Sequence, residues 1–161
     1  MTDIVDIETR SRIMASVGQR DTGPELRLRH SLHRLGLRYR LHERKLPGSP
    51  DLVLPRFNAV VFIHGCFWHI HKGCKFATKP LSRKEFWREK FEANIKRDRK
   101  NYDALAAKGW RVLVVWECAI KGKKDNEMEA LGKEVKNWLK SSQKYCEIGS
   151  SAIPHRKQRR K

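Results

Sequence analysis

The stretch that most constrains this chain lies between Ala59 and Cys74, where A-V-V-F-I runs directly into H-G-C-F-W-H-I-H-K-G-C. Ala59 to Ile63 has the apolar, β-branched make-up of a buried strand. Immediately after it come His64, Cys66, His69, His71 and Cys74, with Phe67 and Trp68 set among them. A plain hydrophobic core has little use for such a cluster at one strand's end. The spacing Cys66-x4-His71-x2-Cys74 supplies three of the four tetrahedral ligands that zinc prefers, and Cys118, at the end of a second apolar run, completes the set. A Cys3His set leaves no position open for water, so the site is structural and would clip loop 65–81 to the strand ending at 118. Cys146 lies outside it and reads as a free thiol.

At 161 residues the chain fits one domain with a real core. Its 36 lysines and arginines against 18 acidic residues, a formal charge of +18, point to a polyanionic partner, most simply nucleic acid. Four cysteines would also suit two disulfides in a secreted protein, but Met1-Thr2-Asp3-Ile4-Val5-Asp6 is acidic and lacks the apolar segment of a signal peptide. No apolar run approaches the ~20 residues that span a bilayer. A cytosolic, reduced chain with metal-binding cysteines and no membrane partner is expected.

Residues 1–20 read as a polar arm with a short helical piece, in which Met14 is most simply a core-packing helix residue. Thr22-Gly23-Pro24-Glu25 is a capping box that opens a helix with leucines at 26, 28, 32 and 35, ended by Gly36; Glu25 thereby has a structural task. Leu37 to Leu41 is a predicted strand. The turn Leu46-Pro47-Gly48-Ser49-Pro50 leads to Asp51, a turn former or a site residue, at the head of the strand Leu52 to Leu54. Hairpin pairing of this strand with Ala59–Ile63 is expected to bring Asp51 beside His64. A second capping box at Ser82–Glu85 opens a long basic helix ended by Lys108-Gly109, with Phe86, Trp87, Phe91, Ile95, Tyr102 and Leu105 supplying most of its apolar face. Lys90, Asn94 and Arg97 share one stripe, either a solvated face or a surface for base edges and phosphates. Trp110 to Trp116 is a further buried strand and Asn126 to Leu139 a last amphipathic helix. The basic end, residues 146–161, is expected to be a disordered tail, leaving a single folded domain at 21–145. This order predicts an α/β fold, a mixed central sheet flanked by helices in two or three layers.

Phosphodiester cleavage needs a hard cation and a group that takes a proton. Asp51 offers oxygen ligation for magnesium, and either His64 or His69 can serve as the base. Phe67 and Trp68, gripped between zinc ligands, are expected to project as wedges for a base stack.

These residues also carry a resemblance. Thr9-Arg10-Ser11, Arg20-Asp21-Thr22, L-P-G-S-P-D at 46–51, F-I-H-G-C-F-W-H at 62–69, Glu85-Phe86-Trp87 and G-W-R-V-L-V-V-W-E-C at 109–118 closely resemble the very-short-patch repair (Vsr) DNA mismatch endonucleases. The resemblance covers roughly residues 8 to 120. It implies a fold similar to type II restriction endonucleases and a nick 5′ of the thymine in a T:G mismatch left by deamination of 5-methylcytosine. It further implies magnesium on Asp51 and the Ile63 backbone carbonyl, His69 as the catalytic histidine, and His64 and Glu25 positioning water or metal. Met14, Phe67 and Trp68 become the intercalating wedge, and Lys90 and Asn94 contact the mismatched bases. The implied setting is the bacterial cytoplasm at the nucleoid, as a monomer linked functionally to a cytosine-5 methyltransferase and downstream repair proteins. Position 63 is isoleucine where the motif usually has threonine, which keeps a carbonyl but removes a hydroxyl. Ser49 stands where a larger basic residue is common. Phe62 and His64 occupy the places of the acidic residue and lysine of the wider restriction motif. The rival readings are a restriction-like endonuclease on intact duplex and a non-catalytic zinc-stabilised DNA-binding module.

Overall fold

The computed structural model describes Glu8 and residues 21–150; the rest of the N-terminal arm, Met14 included, and the chain beyond 150 lie outside the described residues. In chain order the elements are α1 (Gly23–Arg34), β1 (Arg40–Leu41), β2 (Leu52–Leu54), β3 (Ala59–His64), α2 (Lys84–Ala107), β4 (Arg111–Trp116), α3 (Asp125–Lys140) and β5 (Tyr145–Ile148). The strands form one five-stranded sheet in sequence order, antiparallel from β1 to β3 and parallel from β3 to β5. It is the mixed sheet that the alternation of elements predicts.

Strand periodicity splits the core into two layers. Val61, Leu113 and Val115 face Leu28 and Leu32 of α1 and Met128, Leu131, Val135, Trp138 and Leu139 of α3. Val60, Phe62, Val112, Val114 and Trp116 face the other way, towards Leu105 and Tyr102 of α2. The architecture is therefore helix, sheet, helix in three layers. Both parallel connections are helical crossovers, as parallel pairing requires. Among the described residues no helix is long and apolar enough to cross a membrane.

Several local expectations change. Of the segment 37–41 only Arg40–Leu41 pairs, while Leu37 turns into the core and Tyr39 donates to the Arg29 carbonyl at 3.0 Å. The Ser82 capping box does not form: Arg83 caps α2 with φ +52° and no side-chain bond. α2 is also wetter than its sequence suggests, since Phe86 and Ile95 are exposed and only Phe91 and Leu105 are buried. Most consequential is β5, which the sequence reading assigns to the domain's end and the tail. Cys146 to Ile148 pair with β4, so the sheet runs past residue 145.

α1 and α3 meet closely at Gly132. A Cβ there would press into the Ser31 hydroxyl and stand 3.0 Å from Leu35 Cδ1. The Ser31 hydroxyl also donates to the Met128 carbonyl at 2.7 Å, so it has little freedom to retreat. Gly132→Ala is expected to destabilise the protein by about 1–3 kcal/mol despite its better helix propensity. Adding Ser31→Ala should restore part of the loss, which thermal melts of the single and double variants will measure.

Candidate functional site

The site is built from the turn that precedes β2. Gly48 (φ +76°) and Ser49 (φ +47°) fold the turn tightly, and a Cβ on Gly48 would come within 2.9 Å of Asn101 Nδ2 on α2. The turn is thus pressed against α2 and delivers Asp51 to the mouth of the sheet. With Leu52 opposite Val61, Asp51 reaches the end of β3, where its Oδ2 accepts the Ile63 N–H at 2.7 Å. The hairpin thus carries Asp51 to the end of β3, where its bond is to the Ile63 amide while the His64 side chain falls on the α2 face. Burial raises the Asp51 carboxyl from its ordinary value to about 7, and the charge of Glu25 acts in the same direction.

Glu25 is buried on α1 and its Oε2 is well occupied. Glu25 Oε2 accepts from the Asp21 N–H at 3.1 Å and from Arg29 Nη2 at 2.9 Å. The capping contact is one-sided: Glu25 N–H donates to Thr22 Oγ1 at 3.4 Å, while the carboxylate serves Arg29. Arg29 donates to Asp21 as well, at 2.7 Å, and that contact holds the Asp21 carboxyl below its usual range. His42, which no sequence motif singles out, stands between the carboxylates. Its Nε2 lies 3.6 Å from Glu25 Oε2 and its Nδ1 3.9 Å from Asp51 Oδ1. A positive φ of 46° and an amide bond to the Asp51 carbonyl hold it there.

On the opposite side of β3, His64 and His69 stack with ring centroids 3.7 Å apart. His69 N–H bonds to the Gly65 carbonyl in the turn that follows β3, which swings its ring back over His64. His69 Nδ1 meets Asp98 Oδ2 of α2 at 2.5 Å, so the proton on Nδ1 is donated to a carboxylate and Nε2 is left free. His64 Nε2 is hydrogen-bonded to the Tyr102 hydroxyl. Burial depresses the His64 imidazole well below its usual range, with His69 contributing in the same sense, and burial pushes the Tyr102 phenol up. Asp98 and Tyr102 escape sequence reading because nothing local marks them; the only clue is their i, i+4 spacing on a helix that follows the histidines.

Cys66, His71, Cys74 and Cys118 gather with their ligand atoms all within 4.8 Å of one another. His71 Nδ1 lies 3.7 Å from Cys66 Sγ and 3.4 Å from Cys118 Sγ, and its ring stacks on Trp116 at 4.2 Å. Burial pushes both the Cys66 and Cys118 thiols up. Cys146 sits apart, half-buried on β5.

Phe67 and Trp68 are half-buried rather than projecting freely. Phe67 packs edge-on against Trp68, Trp87 and Phe91 at 5.2–5.5 Å. Asn94 Nδ2 donates to the Trp68 carbonyl at 3.0 Å, and Lys90 Nζ lies 5.5 Å from the centre of the Trp68 ring. The α2 stripe singled out in the sequence therefore grips the aromatic loop.

A strongly basic α/β domain thus gathers a buried carboxylate, a stacked imidazole pair and a Cys3His cluster at one end of its central strands. Comparison with known proteins gives the family. The family model described as DNA mismatch endonuclease Vsr matches residues 2–75. The chain is 42% identical over 152 residues to the DNA mismatch endonuclease Vsr of Escherichia coli (strain K12), covering 94% of this chain and 93% of that one. It is 44% identical over 142 residues to the type II nicking enzyme V.XorIIP of Xanthomonas oryzae pv. oryzae, covering 88% and 100%. A third relative, the type II nicking enzyme V.NmeAIP of Neisseria meningitidis, is 43% identical over 123 residues, covering 76% and 87%. The chain belongs to the Vsr DNA mismatch endonuclease family.

The raised Asp51 carboxyl has a consequence for stability. The folded protein holds a proton there that the unfolded chain would already have released, so this stabilisation is present at low pH and lost as pH rises to about 7. Asp51→Asn removes the ionisation and keeps an oxygen for the Ile63 N–H. In chelator, the variant is expected to exceed the wild type in stability at pH 8 by on the order of 3 kcal/mol, with the gap closing towards pH 4. Paired thermal melts across that range check the sign.

Proposed function

We propose that this protein is a magnesium-dependent endonuclease that nicks one strand of duplex DNA 5′ of the thymine in a T:G mismatch arising from 5-methylcytosine deamination, and so begins very-short-patch repair. The observation that carries the reading is the stacked His64–His69 pair, anchored by Asp98, at the same strand end as Asp51. The relationship to a DNA mismatch endonuclease over 94% of the chain supports the substrate. A fold of the type II restriction endonuclease kind is part of the same proposal, supported by the mixed sheet between helices.

Asp51 and the Ile63 carbonyl would hold magnesium. A buried carboxylate raised by desolvation and by a second carboxylate, and only partly offset by the charge of Arg29, is a hard oxygen donor that suits that cation. When bound, magnesium polarises the scissile phosphate and favours ionisation of an attacking water. His69, with Nδ1 committed to Asp98, presents Nε2 to take or return the proton. His64 and Glu25 position the groups around them. Phe67 and Trp68, with Met14 from the arm, form the wedge that enters the base stack, and Lys90 and Asn94 contact the mismatched bases. The Cys66, His71, Cys74 and Cys118 set fits zinc by donor type and by mutual proximity, and would hold the loop that carries His69 and Trp68. A monomer serving DNA modified by a cytosine-5 methyltransferase completes the reading.

End-labelled T:G, T:A and C:G duplexes, incubated with magnesium or chelator, test it. The thymine strand of T:G alone should be nicked, only with magnesium, and Asp51→Ala should bind the mismatch without cutting. Equal cutting of T:A, or full activity of Asp51→Ala, would refute the assignment.

Two further outcomes are expected. One zinc per chain should survive dialysis, and Cys118→Ser should lower both the melting temperature and cutting, because structural zinc contributes directly to folding. Trp68→Ala should reduce T:G over T:A binding selectivity roughly ten-fold at fixed salt, since a stacking contact is worth about 1–3 kcal/mol. The salt-dependent affinity from the basic surface should largely remain.

A further inference from the structure

α2 presents two polar side chains one turn apart to the stacked histidines. Asp98 takes Nδ1 of His69, and Tyr102, four residues on, takes Nε2 of His64. The Asp98 contact already enters the proposed chemistry. The Tyr102 contact does not, and its surroundings suggest a dedicated seat. The Tyr102 ring lies 5.3 Å from Phe62, which itself stacks on His64 at 5.5 Å, so phenol and imidazole are aligned by a shared aromatic wall. Trp116, 5.7 Å from His64, flanks the same ring.

We propose that Tyr102 is a positioning residue for His64, fixing the ring's orientation and its tautomer. This rests on the reading of His64 given above. A phenol hydroxyl is the stronger donor of the two and a bare imidazole nitrogen the stronger acceptor, so the hydroxyl donates to Nε2 and the His64 proton resides on Nδ1. The two stacked rings are then held by opposite nitrogens. His69 is pinned through Nδ1 and works with Nε2; His64 is pinned through Nε2 and offers Nδ1–H as a donor to water or phosphate. A stacked pair free to rotate could swap these edges. With both rings tied to one helix, each keeps a single free nitrogen of defined character.

Tyr102→Phe keeps the ring and removes the hydroxyl. T:G duplex binding should be unchanged and the melting temperature should fall only slightly, as the buried His64 Nε2 loses its partner, while single-turnover nicking falls roughly five- to ten-fold, the range one hydrogen bond supports. In a His64→Ala background the same substitution should cause no further loss. Nitrogen-15 imidazole spectra should show His64 protonated on Nδ1 in the wild type, and a mixture of tautomers in Tyr102→Phe. Wild-type His64 protonated on Nε2, unchanged nicking in Tyr102→Phe, or an equal loss in both backgrounds would overturn the proposal. The spectra stand apart from activity: a wild type that fails to nick T:G refutes the proposed function, while the tautomer still decides the role of Tyr102.

Discussion

The parallel pairing of β3 with β4 is the constraint on which the rest of the molecule depends. His64 sits opposite Trp116, so the two strands release their chains at the same edge. Two residues beyond each strand end comes a cysteine, and parallel register alone is enough to bring Cys66 and Cys118 to one place. His71 then stacks on Trp116 itself. An antiparallel pairing of these strands would have sent the two thiols to opposite ends of the sheet. Glu117, next to Cys118, strengthens the junction by accepting the Cys66 N–H at 3.3 Å.

Strand alternation then distributes the chemistry. Ile63 and His64 are neighbours in sequence and their side chains serve different faces: that of Ile63 packs on the core layer of α1 and α3, and the ring of His64 meets α2. The carboxylate group of Asp51, Glu25 and Asp21, with His42 between, therefore belongs to the α1 side, and the imidazole pair to the α2 side. The strand end is where the two sets come together. Asp51 is close enough to α2 to oppose ionisation of Tyr102.

What was legible in the sequence is what local pattern encodes. The apolar run at 59–63, the capping residue Thr22, the punctuated turn before Asp51 and the Cys/His spacing all state their structure within a few residues. Cys66, His71 and Cys74 could be chosen for that reason, and they gather with Cys118, which is marked by its place at the end of a second apolar run. His42, Asp98 and Tyr102 could not, because each acquires its role from a partner 29, 38 or fewer residues away and sits in an unremarkable local setting. β5 was missed for a related reason. Tyr145-Cys146-Glu147-Ile148 is short and half polar, as an edge strand is, and only pairing with β4 makes it a strand. The expected freedom of Phe67 and Trp68 overlooked Trp87 and Phe91, which need surface to cover and find it in that loop.

α2 deserves to be considered as a mechanical part. Its 24 residues make a rod about 36 Å long without proline or glycine to bend it. Along that rod Lys90 and Asn94 hold the Trp68 loop, Asp98 and Tyr102 hold the histidines, Asn101 backs the turn before Asp51, and Leu105 is anchored in the core. Loop, imidazoles and carboxylate turn are thus indexed to one straight-edge. A displacement of the aromatic loop therefore meets no break in α2 between the residues that grip Trp68 and those that hold the histidines, and the two groups keep a fixed spacing along one rigid element.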